Sequence, residues 1–235
     1  MHIKPGIFVC LNDLCSNSCL LREMPIAPSP IPLYRITHLD NLPHILAQGG
    51  LYASSSPLLD PGFKPIGNPG IISRRAGIAA PHPLSGTLSD FIPFYFGPRS
   101  PMLYQIAHGY NGVIKIPQEE IIYLVSTYEH VRSLGLTCFF TDGNAASQTT
   151  TFFTDDKDLS RVDWDAVYTR YWENTPRDLR RKEKKQAEVL VEAFVPLDAL
   201  LYICVYNSTA KLKAETLLVA AGVSIPVKTD PSLYY

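Results

Sequence analysis

Along residues 187–196, "AEVLVEAFVP", the chain reads as a strand. A period of two places Glu188, Leu190, Glu192 and Phe194 on one face, with Ala187, Val189, Val191 and Ala193 on the other. Carboxylates thus stand on a face that leucine could have filled. Elsewhere the pattern is short and punctuated. "YRITHL" predicts a strand, and "LDNLPHILAQGGL" a helix capped by Asp40 or Asn41 and stopped by Gly49-Gly50. Between Tyr52 and Ser89 recurring prolines erase any period, which predicts a long loop that is either functional or disordered.

Further on, "DFIPFY" is β-like, and Met102 to His108 predicts a helical turn. "GVIKIP" reads as a strand, "IIYLV" as a strand or short helix, and "TCFFTDGNAAS" as a strand ending in a turn. Residues 163 to 187 predict two helical pieces, the second capped by Thr175 with Pro176 in its first turn. A strand at "LYICVY" and a helix from Ala210 to Ala221 close the chain. With no internal repeat and no α/β alternation, the fold class expected is α+β, a single domain of short-stranded sheets with flanking helices.

Composition narrows this picture. At 235 residues and a net charge of −1, the chain can bury one full core but has no global field to attract nucleic acid. A local excess exists: Arg177, Arg180, Arg181, Lys182, Lys184 and Lys185 face only Asp178 and Glu183 between residues 177 and 186. That stretch is either a solvated helix face or a phosphate-contact surface. No segment approaches the roughly 20 apolar residues of a membrane span, and the N-terminus makes a poor signal peptide, so a cytoplasmic protein without membrane attachment is expected. Cys10, Cys15 and Cys19 lack companions to complete a zinc site, and no metal is expected. Cys138 and Cys204 lie in apolar runs, as small core residues do. Residues 1–30 read as an extension outside the fold, with translation starting at Met24, and residues 31–235 as the domain.

No glycine-rich phosphate loop, GxSxG or HExxH motif occurs. The candidate chemistry is therefore scattered. Glu188 opens an apolar strand, where a carboxylate is costly unless exposed at an edge, paired or put to use. Arg74 and Arg75 sit in the long loop, as surface cations commonly do, and guanidinium groups also suit a diphosphate. "FYFGPRSPMLY" gathers Phe94, Tyr95, Phe96 and Tyr104, either as core or as a stacking surface for a flat ring. His38 is by itself more often a core histidine than a ligand.

In order, "YRITHLDNLPHIL", "PFYFGPRSPMLY", "FTDGNAAS" and "AEVLV" resemble the DarT family of DarT–DarG toxin–antitoxin systems, over about Tyr34 to Tyr206. The resemblance implies an ADP-ribosyltransferase fold related to poly(ADP-ribose) polymerases. It implies NAD+ as co-substrate and transfer of ADP-ribose to a base in single-stranded DNA, with thymine favoured over guanine. It implies a toxin, partnered by the macrodomain antitoxin DarG. Residue by residue, Glu188 falls at the catalytic glutamate, His38 at a histidine that contacts NAD+, and Arg75, with Arg74 as the alternative, at the essential arginine. Tyr95 and Met102 fall where side chains line the nicotinamide and base pocket. Asn144 stands where family members often carry a DNA-contacting histidine. Transfer to RNA or protein, or a relic that binds nucleic acid without turnover, are the rival readings.

Overall fold

A computed structural model describes residues 27–235. Cys10, Cys15, Cys19 and the expected start at Met24 lie outside the described residues. In chain order the elements are β1 (Pro32–His38), α1 (Leu42–Ala47), β2 (Gly50–Tyr52), α2 (Pro69–Arg75) and β3 (Phe91–Tyr95). Then come α3 (Pro101–His108), β4 (Ile121–Thr127), α4 (Tyr128–Ser133), β5 (Cys138–Thr141), β6 (Phe152–Phe153) and α5 (Trp164–Tyr168). The chain continues with α6 (Arg181–Lys184), β7 (Glu188–Glu192), β8 (Phe194–Pro196), β9 (Tyr202–Val205), α7 (Ser208–Ala220) and β10 (Val227–Thr229).

Eight strands join in the order β10-β9-β4-β1-β3-β7-β5-β6, while β2 and β8 pair separately. The sheet is two half-sheets that barely touch. β1 and β4 pair along seven positions, but β1 and β3 share only Tyr34 opposite Tyr95. Pro93 explains the split. Phe96 donates its N–H to Ala187 O on the β7 side, so by alternation the main-chain groups of Pro93 face β1. Proline has no N–H to offer there. Its carbonyl instead accepts from the Arg35 guanidinium at 3.0 Å, and the strands diverge into a cleft.

Three apolar clusters hold this frame. The largest packs α1, α4, α5 and α7 against Leu33, Phe94, Val189 and Val191. A second sets Leu103 and Ile106 of α3 against Tyr34, Ile36 and Tyr123. A third, small one lies beside β7 at Leu88, Phe91, Phe139, Ala145 and Leu190. Gly97 is required by packing, since a Cβ there would come within 2.5 Å of Val167 O. Cys138 and Cys204 are buried, and Ile31, just before β1, is already core.

Several expectations need correction. β7 stops at Glu192, because Ala193 adopts φ +57 and resets the phase, so Phe194 begins β8 instead of sharing the Glu188 face. The long loop contains a helix, α2, capped by the Asn68 side chain with Pro69 in its first turn. "GVIKIP" forms no strand: Val113 N–H closes a turn on Tyr110 O, and Ile116 N–H returns to Ile106 O of α3. The second helix expected before β7 shrinks to four residues, and Thr175 closes a tight turn with Asp178. Neither Asp40 nor Asn41 caps α1 by its side chain: a 3-10 turn precedes it, and His38 Nδ1 accepts from Asp40 N–H.

Candidate active site

Glu188 begins β7 beside the split, and its side chain is 2% exposed. Burial of a carboxylate needs partners. One is a backbone group: Ala145 donates its N–H to Oε1 at 2.9 Å. The other is Arg75, at the last turn of α2, whose Nη1 lies 3.2 Å from Oε1 and 3.4 Å from Oε2. The strand is itself pinned. Glu188 N–H donates to Thr141 Oγ1, and that hydroxyl donates to Gly143 O at the start of the "DGNAAS" turn.

Above this pair opens a cavity of about 390 Å³, lined from β1, β3, α2, α3 and the turn after β5. Tyr95 and Met102 both line it, with the Tyr95 hydroxyl 3.9 Å from the Met102 sulfur. Burial, and then the Glu188 carboxylate, push the Tyr95 phenol well above its ordinary range, so it stays a neutral donor. Asn144 reaches the cavity from the turn, where its amide donates to Gln186 Oε1 at 3.0 Å and its carbonyl accepts from Ala146 N–H.

The structure separates the two loop arginines. Arg75 meets Glu188, whereas Arg74 is exposed and faces a shallow depression with Ile78, Ala145 and Gln148. His38 does not line the cavity. It is buried at the end of β1, with Nε2 3.3 Å from Glu120, while its neighbour Thr37 does line the cavity.

One residue escaped the sequence reading. Arg35 stands in the split, beside Arg75 and Glu188, where burial and then the Arg75 charge pull its guanidinium down to about 10. Its signal was legible: a charge in the middle of the "YRITHL" strand. The N–H of Ala145 had no such signal, because a backbone donor is not written in residue type. The Nε of Arg35 and the Nη2 of Arg75 are buried and have no partner among the described residues. Two guanidinium groups against one carboxylate leave an excess positive charge in a half-enclosed space, an arrangement that receives an anionic ligand.

Among the described residues no group of three or more His, Cys, Asp or Glu could hold a metal. No helix among them is long and apolar enough to cross a membrane.

The fold that holds this buried carboxylate at the floor of its cleft is similar to that of solved structures of Thermus sp. 2.9 DarT. In complex with ADP-ribosylated ssDNA, that protein aligns with a TM-score of 0.84 and 34% identity, over 90% of this chain and 100% of its own. In complex with NAD+, the values are 0.76 and 35%, over 89% and 100%. The fold is thus that of an ADP-ribosyltransferase. The family model described as "ssDNA thymidine ADP-ribosyltransferase, DarT" matches residues 34–235. A DNA ADP-ribosyl transferase of Escherichia coli O127:H6 (strain E2348/69 / EPEC) is 35% identical over 88% of this chain and 95% of its own length. A DNA ADP-ribosyl transferase-DNA ADP-ribosyl glycohydrolase fusion protein of Thermosipho africanus is 24% identical over 86% of this chain and 49% of its own. The chain belongs to the DarT family.

Proposed function

We propose that the protein transfers ADP-ribose from NAD+ to a base of single-stranded DNA, thymine in the first instance. The observation that carries this is the Arg75–Glu188–Ala145 constellation at the floor of a cleft with surplus positive charge. NAD+ fits the donor set, because its diphosphate can satisfy the unpartnered Arg35 and Arg75 nitrogens.

Breaking the bond between nicotinamide and ribose builds positive charge on the sugar. Glu188 accepts a hydrogen bond from a ribose hydroxyl and stabilises that charge, and its fixed strand means little reorganisation at the moment of reaction. Tyr95 and Met102 line the space for the flat rings. As the C–N bond to ribose forms and neutral nicotinamide leaves, the acceptor nitrogen of thymine gives its proton to solvent water at the open side of the cleft. Arg75 is a poor base, so its part is to stabilise the deprotonated ring by charge. Asn144 cannot take up a proton; its amide instead sets the turn that carries Ala145.

Action as a toxin, in the cytoplasm where NAD+ and DNA meet, follows from this chemistry. The partner is a macrodomain antitoxin of the DarG kind that removes the mark, a reading supported by the two activities in the Thermosipho africanus fusion.

The test is transfer of labelled ADP-ribose from NAD+ to a pool of short single-stranded DNAs, with Glu188→Gln alongside. Label on thymine with the intact protein and not with the variant is expected. Folded protein that binds NAD+ but labels only RNA or protein would overturn the DNA assignment.

A further inference from the structure

Outside the cleft, five aromatic side chains form one connected face. Tyr104 of α3 meets Trp172 edge-on at 5.5 Å and Tyr235 edge-on at 5.1 Å, and its ring lies 4.2 Å from that of His108. His108 stacks on Tyr110 at 5.4 Å with an interplanar angle of 16°. Hydrogen bonds lock the group: Trp172 Nε1 donates to the Tyr235 hydroxyl, which donates to Arg99 O. A cluster built only to fill a core would be covered. Here Tyr110 is 51% exposed, Tyr171 beside Trp172 is 78% exposed, and His108 lies open to solvent.

The charge around this face differs from that of the neighbouring chain. Of the cationic stretch, Arg180 pairs with Glu183, and Lys184 with Asp163 and Asp178. Lys185 is buried at 1% exposure and donates to Val167 O. Lys182 instead reaches over the Trp172 ring, 5.5 Å from its centroid, and Arg181 donates to the Thr169 hydroxyl. Lys115 packs beside Gly109 at the end of α3. None of Lys182, Arg181 and Lys115 has a carboxylate within ion-pair distance among the described residues. Glu173, which follows Trp172 in the chain, is exposed and also unpaired among the described residues.

The face continues from the cleft. Met102 and Gln105 of α3 line the cavity, and at 3.6 residues per turn Gln105 stands between the Met102 stripe and that of Tyr104 and His108. Flat rings with unpaired cations at their margin, leading away from a base-accepting cavity, match the chemistry of single-stranded DNA.

We propose that Tyr104, His108, Tyr110 and Trp172, with Lys182, form a stacking platform for the nucleotides flanking the target base. This rests on the DNA-modifying reading above and names a second DNA subsite for it. Lys182 swings from the Trp172 ring to a backbone phosphate as a base takes its place.

Fluorescence tests it without turnover. The protein has two tryptophans, and Trp164 is 3% exposed, so Trp172 reports on the platform. Oligo-dT is expected to quench the emission of the full chain, and Trp172→Phe to abolish the change. In transfer assays Tyr110→Ala is expected to raise the KM for DNA by about 5- to 100-fold, as the loss of one stacked base implies, with kcat and NAD+ affinity held. Quenching without transfer to DNA would keep the platform and sink the activity. Transfer with an unchanged KM in Tyr110→Ala, and no quenching by oligo-dT, would overturn the platform alone. Equal quenching by heparin, which has no bases, would overturn stacking too.

Discussion

Two loops meet over Glu188, and they are built differently. From Ser54 to Thr87, only Ile66 is buried. That segment depends on local turns and a few polar ties, among them His44 with Asp60 at 2.6 Å and Arg75 with Glu188. The turn from Asp142 to Thr151 is a third as long and far more tightly knit. Gly143, Ala145 and Ala146 are buried, and the Glu183 carboxylate accepts from Ser147, Thr149 and Arg180. The lesson is a division of labour. The short turn holds the N–H that positions the carboxylate, and the long loop brings the arginine that can leave it.

Breaking the fixed side has the largest effect. Glu188→Gln keeps an acceptor for Ala145 N–H but removes the charge, and transfer should fall by ~100- to 1000-fold. Initial rates at saturating NAD+ measure it, and an unchanged urea midpoint separates chemistry from folding.

Next, Glu183→Ala should cost about 2–3 kcal/mol, since it strips three donors of an ionised acceptor. Burial pushes this carboxyl up, but bonds from Thr149, Ser147 and Arg180 prevail and hold it below its ordinary range. Its contribution is therefore present above the unfolded carboxylate pKa and is lost as pH falls through the lower folded value. The variant should accordingly lose less stability than the parent between neutral pH and strong acid.

Lys185, between α6 and β7, sharpens the comparison from the chain just before Glu188. Burial, and then Arg99, lower its ammonium to about 7. The unfolded chain binds this proton up to about pH 10, so stability should rise with pH between about 7 and 10. Lys185→Met should gain about 1–2 kcal/mol at neutral pH, with the gain fading toward pH 10. Urea midpoints across that range test the sign.

The smallest effect concerns the long loop. Proteolysis between residues 54 and 87 should slow a few-fold with NAD+, while cleavage between 142 and 151 stays unchanged. Equal rates with and without NAD+ at both places would remove the contrast.

Much of this was legible in advance, for local reasons. β1, β5 and β9 follow from runs of apolar residues, β4 was open between strand and short helix, and α3 covers the helical turn expected from Met102 to His108. The helix α2 escaped because its cap, Asn68, lies among prolines that looked like loop throughout. What the sequence could not show is which cations of the 177–186 stretch stay free: pairing and burial take up Arg180, Lys184 and Lys185. If Arg177, Arg181 and Lys182 all meet phosphates, the log–log salt slope for single-stranded DNA is roughly −2.

By itself the sequence determined the α+β class, the short strands, the resemblance to one family, and a carboxylate on a strand that had no steric need of it. Only the tertiary structure decided which arginine meets that carboxylate, that a proline opens the sheet, and that Arg35 stands in the opening. The reason is physical. Periodicity and capping act between residues a few places apart, whereas Arg75 and Glu188 are 113 positions apart and Ala145 and Glu188 are 43. Contacts of that span exist only once the half-sheets have closed around their cores.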